Sequence, residues 1–413
     1  MVPAGYIDRH ARGIIAEALT DTRVVMVLGA RQSGKSTLTR RVAESDHPSM
    51  IFSLDDQATR AIAQDDPTGF IAGLTGPVLI DEIQRAPDLL FAIKQAVDRD
   101  PSPGRFLLTG SANILSTKKS YEALTGRTEI VRLWPLAQSE VNGSTVNVVD
   151  ELLAGRAPWI TGAPVGRPAF VDIVARGGYP EARLRTGRRR SIWYRDYLEM
   201  VVERDLQDIA TAYKAHEIPR LLRVLAAQAA NLLEYRKLSR GLEIDEKTVK
   251  AYIKLLEDVF LVRVIRAWRP GIGRREIHTP KAYLVDTGLL AHLLGADEKR
   301  IAEDDQVTGK MLENFCSMEL LKHIGWSVNP PQIFHYRDGR DEIDLVLEAR
   351  NGDLACVEVK ASASVRPADY RPMAKLRDAR TDHFKIGVVF FTGEQTIPLT
   401  DRVWAVPVSG LWA

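Results

Sequence analysis

The chain has 413 residues, too many for one ordinary hydrophobic core, so a protein of about two to four domains is expected. Hydrophobic residues make up 45% and charged residues 27%, a balance that excludes a chain dominated by disorder. Fifty-six basic against fifty-four acidic side chains give a net charge of +2, so any nucleic-acid partner must be recognised by local patches rather than by global charge. The two cysteines, Cys316 and Cys356, lack metal-ligand spacing and are too few to staple a chain of this size, which fits a reducing compartment. No apolar run reaches about 18 residues and the N-terminus lacks the apolar core of a signal peptide, so a cytoplasmic protein that does not span the membrane is expected. No fixed-period repeat is present.

Taken in chain order, the first element is the β-branched apolar run at 23–28, which stops at Gly29 and is followed by a helix-compatible segment. Gly29, Gly34, Lys35 and Ser36 fill the pattern G-x-x-x-x-G-K-[ST] of a phosphate-binding loop. In that pattern the glycines admit unusual backbone, loop N–H groups wrap phosphates, and the helix start adds its dipole. Lys35 is expected on the β- and γ-phosphates of ATP, and Ser36 on Mg²⁺. The whole stretch Gly29, Ala30, Arg31, Gln32, Ser33, Gly34, Lys35, Ser36 and Thr37 is the candidate nucleotide site. A second strand at 77–80 ends in Asp81 and Glu82, where Asp81 is expected to hold Mg²⁺ and Glu82 to orient or deprotonate the attacking water. A third strand at 105–113 ends in Thr109, Ser111 and Asn113, read either as sensors of the γ-phosphate or as an ordinary turn. Strands separated by helix-length segments predict a parallel sheet with the ligand at the carboxyl ends of the strands.

These residues resemble a known family, the prokaryotic AAA+-type ATPases that carry a C-terminal domain of unknown function. The match is carried by Gly29 to Thr37, Ser53-Leu54-Asp55-Asp56, Ile80-Asp81-Glu82-Ile83-Gln84, Leu108-Thr109-Gly110-Ser111, Leu124-Thr125-Gly126-Arg127 and Trp134-Pro135-Leu136. The resemblance implies a first sensor at Ser111 or Asn113. It also makes Arg127 a candidate arginine finger, which acting in trans would require a homo-oligomer, such as a ring; the alternative is a surface arginine at a helix end.

Residues 141–170 are rich in Gly, Pro, Ala and Asn and read as a connection or insertion. Gly177-Gly178-Tyr179-Pro180 then punctuates the chain before a helical stretch at 191–210, which by the resemblance belongs to a lid; the arginines at 188–190 read as phosphate contacts or as a solvated helix start. Helices at 218–233, 235–242 and 246–262, followed by a strand pair at 261–268 and 281–286, give the order of a winged helix. Lys247, Lys250 and Lys254 share one face of its third helix, and Arg274 and Arg275 lie near the hairpin tip. DNA is the expected partner of these residues, with protein docking as the alternative.

In the last third, a helix at 308–324 carries Glu313, and strands at 342–349 and 353–362 flank the hairpin signal Asn351-Gly352. Asp344 and Glu358-Val359-Lys360 resemble the core of the PD-(D/E)XK nuclease fold, with Glu313 as the helix acid. Such a site implies Mg²⁺ on Glu313, Asp344 and Glu358, with Lys360 activating water. The expected architecture is therefore α/β throughout. It comprises a P-loop AAA+-type parallel-sheet core (1–140), a linker and helical lid (141–215), a winged helix (216–290) and a PD-(D/E)XK nuclease-like domain (291–413). The expected function is an ATP-hydrolysing ATPase acting on DNA, as a translocase or helicase that could also cleave it. The alternatives are a nucleotide-controlled signalling switch that binds a protein partner, and a metal-dependent nuclease that uses ATP only as a regulator.

Overall fold

The computed structural model describes residues 5–110, 125–158, 165–202, 217–270 and 278–412. Contacts divide the chain into two compact units, one built mainly from residues 1–136 and the other mainly from 137–202, 211–257 and 261–413.

The first unit holds α1 (Ala11–Asp21), β1 (Val24–Gly29), α2 (Lys35–Arg41), β2 (Met50–Ser53), α3 (Gln57–Asp65), α4 (Pro67–Ala72), β3 (Val78–Asp81), α5 (Leu89–Arg99), β4 (Phe106–Gly110) and β5 (Thr128–Leu133). The five strands pair in the order β2-β3-β4-β1-β5, all parallel. Strands buried on both faces need continuous apolar sequence, and β1, β3 and β4 supply it, with every residue of each buried. Ile15, Leu19, Val25, Val27, Leu38, Leu79, Leu107 and Val131 form one core cluster, in which each buried aliphatic side chain contributes about 1.5–3 kcal/mol. Asp56 caps α3 by accepting the Thr59 N–H at 2.8 Å, which accounts for the polar end of the segment 53–56. The register sets Gly29 beside Leu133 and Leu28 beside Gly110, so the loops after β1, β3 and β4 open at one edge of the sheet.

The second unit begins with α6 (Gln138–Asn142), α7 (Val148–Leu153), α8 (Arg167–Arg176), α9 (Pro180–Arg183) and α10 (Gly187–Met200). Then come α11 (Ile218–Ala227), α12 (Tyr235–Leu242), α13 (Glu246–Asp258), β6 (Val262–Ile265), β7 (Lys281–Leu284), α14 (Thr287–Leu294), α15 (Glu298–Glu303) and α16 (Asp305–Ile324). It closes with β8 (Gln332–Asp338), β9 (Asp341–Glu348), β10 (Leu354–Lys360), α17 (Pro367–Ala379), β11 (Phe384–Phe391), β12 (Ile397–Thr400) and β13 (Val403–Pro407).

These strands form a sheet in the order β12-β13-β11-β10-β9-β8. Strands β8, β9 and β10 are antiparallel neighbours, whereas β10, β11 and β13 run parallel, with α17 spanning the crossover from β10 to β11. The β9–β10 turn falls at Asn351-Gly352 as the sequence indicates; Gly352 adopts φ +87° and the Asn351 side chain accepts the Asp353 N–H at 3.1 Å. Helix α16 is buried on nearly every side, against α7, α8, α14, α15, β7 and β10. Its polar side chains are spent on neighbouring backbone: Asn314 bonds both the N–H (2.9 Å) and the C=O (2.8 Å) of Leu284, and Glu319 accepts the Gln138 N–H at 2.7 Å.

Residues 137–202, which include most of the stretch 141–215 expected as linker and lid, fall in the same compact unit as the C-terminal sheet. Glu319 of α16, which accepts the N–H at the start of α6, and His323, which accepts the Val148 N–H at 3.2 Å, explain that attachment. The helix expected over 218–233 ends at Ala227, because Ala230 turns at φ +68° and the following chain joins β7 instead. There Ala230 N donates to Ala282 O at 2.9 Å, and Leu233 N to Pro280 O at 2.7 Å. The apolar residues 232 and 233 that extended the helical pattern serve a strand-like bridge. No helix among the described residues is long and apolar enough to cross a membrane.

Candidate functional site

At the loop after β1, Gly29 is required by close approach, since a Cβ there would lie 2.2 Å from the Leu133 carbonyl oxygen. Gln32 (φ 61°) and Gly34 (φ 95°) are the residues that take left-handed backbone, and they fold the loop back on itself. Ser33 Oγ donates to Ala30 O at 2.9 Å inside the loop. Lys35 is buried, and its Nζ donates to the carbonyls of Gly29 (3.0 Å) and Ala30 (2.9 Å), so the ammonium lies over the loop. Ser36 and Thr37 stay exposed in the first turn of α2. Arg9, before α1, braces the loop by donating to Ser33 O at 2.8 Å and to Trp134 O at 2.7 Å. Sequence reasoning missed Arg9, because a lone arginine twenty residues ahead of the motif carries no pattern.

The acid side of the centre is one hydrogen-bonded unit drawn from three elements. Strand β4 lies between β1 and β3, which brings Thr109 to Asp81. Ser36 Oγ donates to Asp81 Oδ1 at 3.0 Å, and Thr109 Oγ1 donates to the same oxygen. Glu82 N donates in turn to Thr109 Oγ1 at 2.9 Å. Glu82 sits at φ 60°, ψ 45°, a left-handed conformation that is strained for a residue with a side chain, and its carboxylate accepts a bond from Gln84. A serine hydroxyl touching a carboxylate suits Mg²⁺, which takes oxygen donors from one or two side chains and keeps several waters. Thr109, read as a sensor or as part of an ordinary turn, bonds Asp81 and the Glu82 N–H; Ser111 and Asn113 lie outside the described residues.

Arg127 does not reach this centre within its own chain. It stands just before β5, while the P-loop lies level with Leu133 at the other end of that strand, roughly 20 Å away at the rise of a β-strand. There it forms a bidentate pair with Asp98 at 2.5 and 2.9 Å and donates to Thr125 O at 3.0 Å, and the guanidinium holds the Asp98 carboxyl below its usual range.

The second centre lies in the C-terminal sheet, where Asp344 of β9, Glu358 and Lys360 of β10 and Glu313 of α16 are brought together as the sequence suggests. At this point of the β9–β10 pair the carboxylates replace ladder bonds. Glu358 accepts the Asp344 N–H at 3.2 Å, and Asp344 accepts the Val359 N–H at 3.0 Å. Lys360 Nζ lies 2.7 Å from Glu358.

A residue that sequence reasoning missed occupies the middle. Lys281, at the start of β7 and only 2% exposed, places its Nζ 2.9 Å from Glu313, 2.9 Å from Glu342 and 3.2 Å from Asp344. Burial and the nearby Asp344 push Glu313 up to about 8, and burial pushes Glu358 well above the carboxylate range; burial opposes the charge on Lys281, but Tyr283 and the surrounding carboxylates outweigh it and raise its pKa. Among the described residues no group of three or more His, Cys, Asp and Glu side chains is arranged to hold a metal ion. Of the expected metal set, Glu313 and Asp344 meet the Lys281 ammonium, while Glu358 meets Lys360. A lysine heading the otherwise apolar strand 281–285 was the available signal.

Lys247, Lys250 and Lys254 lie on the exposed face of α13, opposite buried Val249, Ile253 and Leu256. Lys250 is engaged by Glu246 at 2.7 Å and stands 5.1 Å over the Tyr235 ring. Arg274 and Arg275 lie outside the described residues.

The family described as "AAA domain" matches residues 21–142, while domains of unknown function match 167–300 (DUF8612) and 308–411 (DUF4143). Uncharacterized proteins of Mycobacterium tuberculosis and Mycobacterium bovis are each 32% identical to this chain over 404 residues, covering 97% of it and 83% of their own length. A Walker-type ATPase of Pyrococcus abyssi superposes with a TM-score of 0.45 at 15% identity, over 70% of this chain and 96% of that one. A signal-transduction ATPase with numerous domains from Pyrococcus horikoshii gives a TM-score of 0.25 at 12% identity, over 78% and 48%. Neither superposition is close enough to carry weight.

Proposed function

The chain belongs to one family with these mycobacterial proteins and is a P-loop ATPase by its AAA domain, and from that premise we propose that it hydrolyses ATP with Mg²⁺ while engaged on DNA. The observation that carries the hydrolytic part is the convergence of Ser36 and Thr109 on Asp81, with Glu82 tied to the same threonine. Residues Gly29 to Thr37 would cradle the phosphates with backbone N–H groups, and Lys35 would exchange the Gly29 and Ala30 carbonyls for β- and γ-phosphate oxygens. Ser36 and Asp81 would hold Mg²⁺, which would supply positive charge to neutralise the phosphates. Glu82 would accept a proton from the attacking water or align it, and Ser111 would report on the γ-phosphate. Arg127 would serve a neighbouring subunit, since its own P-loop is out of reach, so the working form would be a homo-oligomer. Its ATPase activity per subunit should therefore rise with protein concentration, and that rise should vanish in Arg127→Ala.

The DNA part rests on the second unit. Three helices followed by the β6–β7 hairpin, with Leu232 bridged to Lys281, have the element order of a winged helix. Helix α13 presents Lys247, Lys250 and Lys254 outward, and α16 with β8–β11 and α17 has the element order of a PD-(D/E)XK fold. One observation favours the protein-directed switch as a second reading: Lys250 is already neutralised by Glu246, which suits a docking face better than a phosphate contact. Steady-state ATPase rates, alone and with single-stranded, duplex and branched DNA, separate the two readings. The DNA reading expects stimulation that falls in Lys247→Ala/Lys254→Ala. A rate indifferent to every DNA overturns it and leaves the switch.

A further inference from the structure

The C-terminal charge cluster contains four carboxylates, from Glu313, Glu342, Asp344 and Glu358, and two ammonium groups, from Lys281 and Lys360. A lysine ammonium has three N–H donors and no acceptor. Those of Lys281 meet three oxygens from three carboxylates on two elements, Glu313 on α16 and Glu342 with Asp344 on β9, which is the environment a divalent cation would need. We propose that Lys281 Nζ is a resident internal cation that replaces the divalent metal of this centre, so that the PD-(D/E)XK-like unit of this protein binds no metal and cuts no phosphodiester.

Three features make this a built arrangement rather than a wandering side chain. The lysine backbone is fixed on both sides, by the ladder to Ile265 and by the bridge to Leu232. Strand β7 is locked to α16 by the Asn314 amide, which bonds both backbone groups of Leu284. Tyr283, two residues on and therefore on the same face of β7, donates to Glu313 Oε1 at 3.2 Å, so the carboxylate that Lys281 holds is oriented by a second bond. A metal placed among Glu313, Asp344 and Glu358 would share two of its ligands, Glu313 and Asp344, with the Lys281 ammonium. The remaining lysine, Lys360, pairs with Glu358 and has no bound metal to assist. The unit then keeps the layout of a nuclease as a scaffold whose charge is balanced from within.

The test is Mn²⁺ binding followed by electron paramagnetic resonance on the full chain, without nucleotide and with Asp81→Asn in every sample to remove the P-loop site. The lysine carrying the native charge should show no bound Mn²⁺ that Asp344→Asn removes, and Lys281→Arg should behave the same. Lys281→Met, of similar length and neutral, should gain about one equivalent of bound Mn²⁺, lost again in Lys281→Met/Asp344→Asn. Mn²⁺ bound with Lys281 present and lost in Asp344→Asn overturns the proposal, as does a folded Lys281→Met that gains none. Should Lys281→Met fail to fold, the samples retaining Lys281 still decide between these outcomes.

Discussion

The two charged centres of this protein are assembled from the same residue types and work out oppositely. In the P-loop centre the lysine, Lys35, lies on backbone carbonyls, and the carboxylate of Asp81 is held by two neutral hydroxyls. In the C-terminal centre the lysine, Lys281, lies on the carboxylates themselves. A carboxylate held by hydroxyls keeps its charge for an incoming cation, whereas one already paired with a buried ammonium has spent it. Carboxylates at the right spacing are therefore not enough to infer a metal site; what already neutralises them decides.

The comparison breaks most directly at Glu82. Glu82→Gln should lower ATP turnover about 10²- to 10⁴-fold while nucleotide binding, followed by fluorescence of a labelled ATP analogue, is retained. A fall of that size in Asp344→Asn instead would reverse the roles assigned to the two centres.

On the C-terminal side, Lys281→Ala leaves buried carboxylates without their partner and should cost about 3–5 kcal/mol in urea unfolding. Loss of under about 1 kcal/mol would show that the ammonium is not the neutralising charge.

A pH effect sharpens the same point. His335, on β8 and nearly inaccessible, is pushed down to about 4 by burial and by the positive charge of Lys281, while its Nε2 bonds Thr279 O at 3.0 Å. Its folded pKa lies below the ordinary value of 6.5, so its contribution is complete above about pH 6.5 and is lost as pH falls toward 4. Relative to His335→Gln, the protein should lose on the order of 3 kcal/mol of unfolding free energy across that window.

Thr109→Val removes the hydroxyl that joins Asp81 to Glu82 and leaves the Glu82 N–H without that acceptor, at an expected cost of about 1–3 kcal/mol in thermal unfolding. The smallest effect is expected at Arg127. Its pair with Asp98 is solvent-screened, and Arg127→Ala should leave thermal unfolding nearly unchanged, so a large loss of turnover there would reflect work on a neighbouring subunit.

How much of this was legible in the sequence follows from whether the information is local. The P-loop is a contiguous motif on a strand and a helix, and Asp81 ends an apolar strand, so both could be read residue by residue. The pairing of Asp344 with Glu358 was legible for the same reason, through a hairpin marked by Asn351-Gly352. Arg9 and Lys281 were not, because each acts on residues far along the chain and neither has a periodic or motif signature: Lys281 meets Asp344 across 63 positions. The end of α11 was misread because Ala229, Leu232 and Leu233 continue the apolar helical spacing, yet the backbone of 230–233 is captured at β7. Packing of 137–202 with the C-terminal sheet was hidden in single buried polar groups, Glu319 and His323, which a pattern of apolar residues does not encode.

The most direct measurement of the central claim is Mg²⁺-dependent phosphate release from ATP by the unaltered chain, Glu82→Gln and Asp344→Asn, side by side, with folding of each checked by circular dichroism. The account predicts that turnover collapses in Glu82→Gln and persists in Asp344→Asn. Turnover that survives in Glu82→Gln, or that collapses in a folded Asp344→Asn, would contradict it.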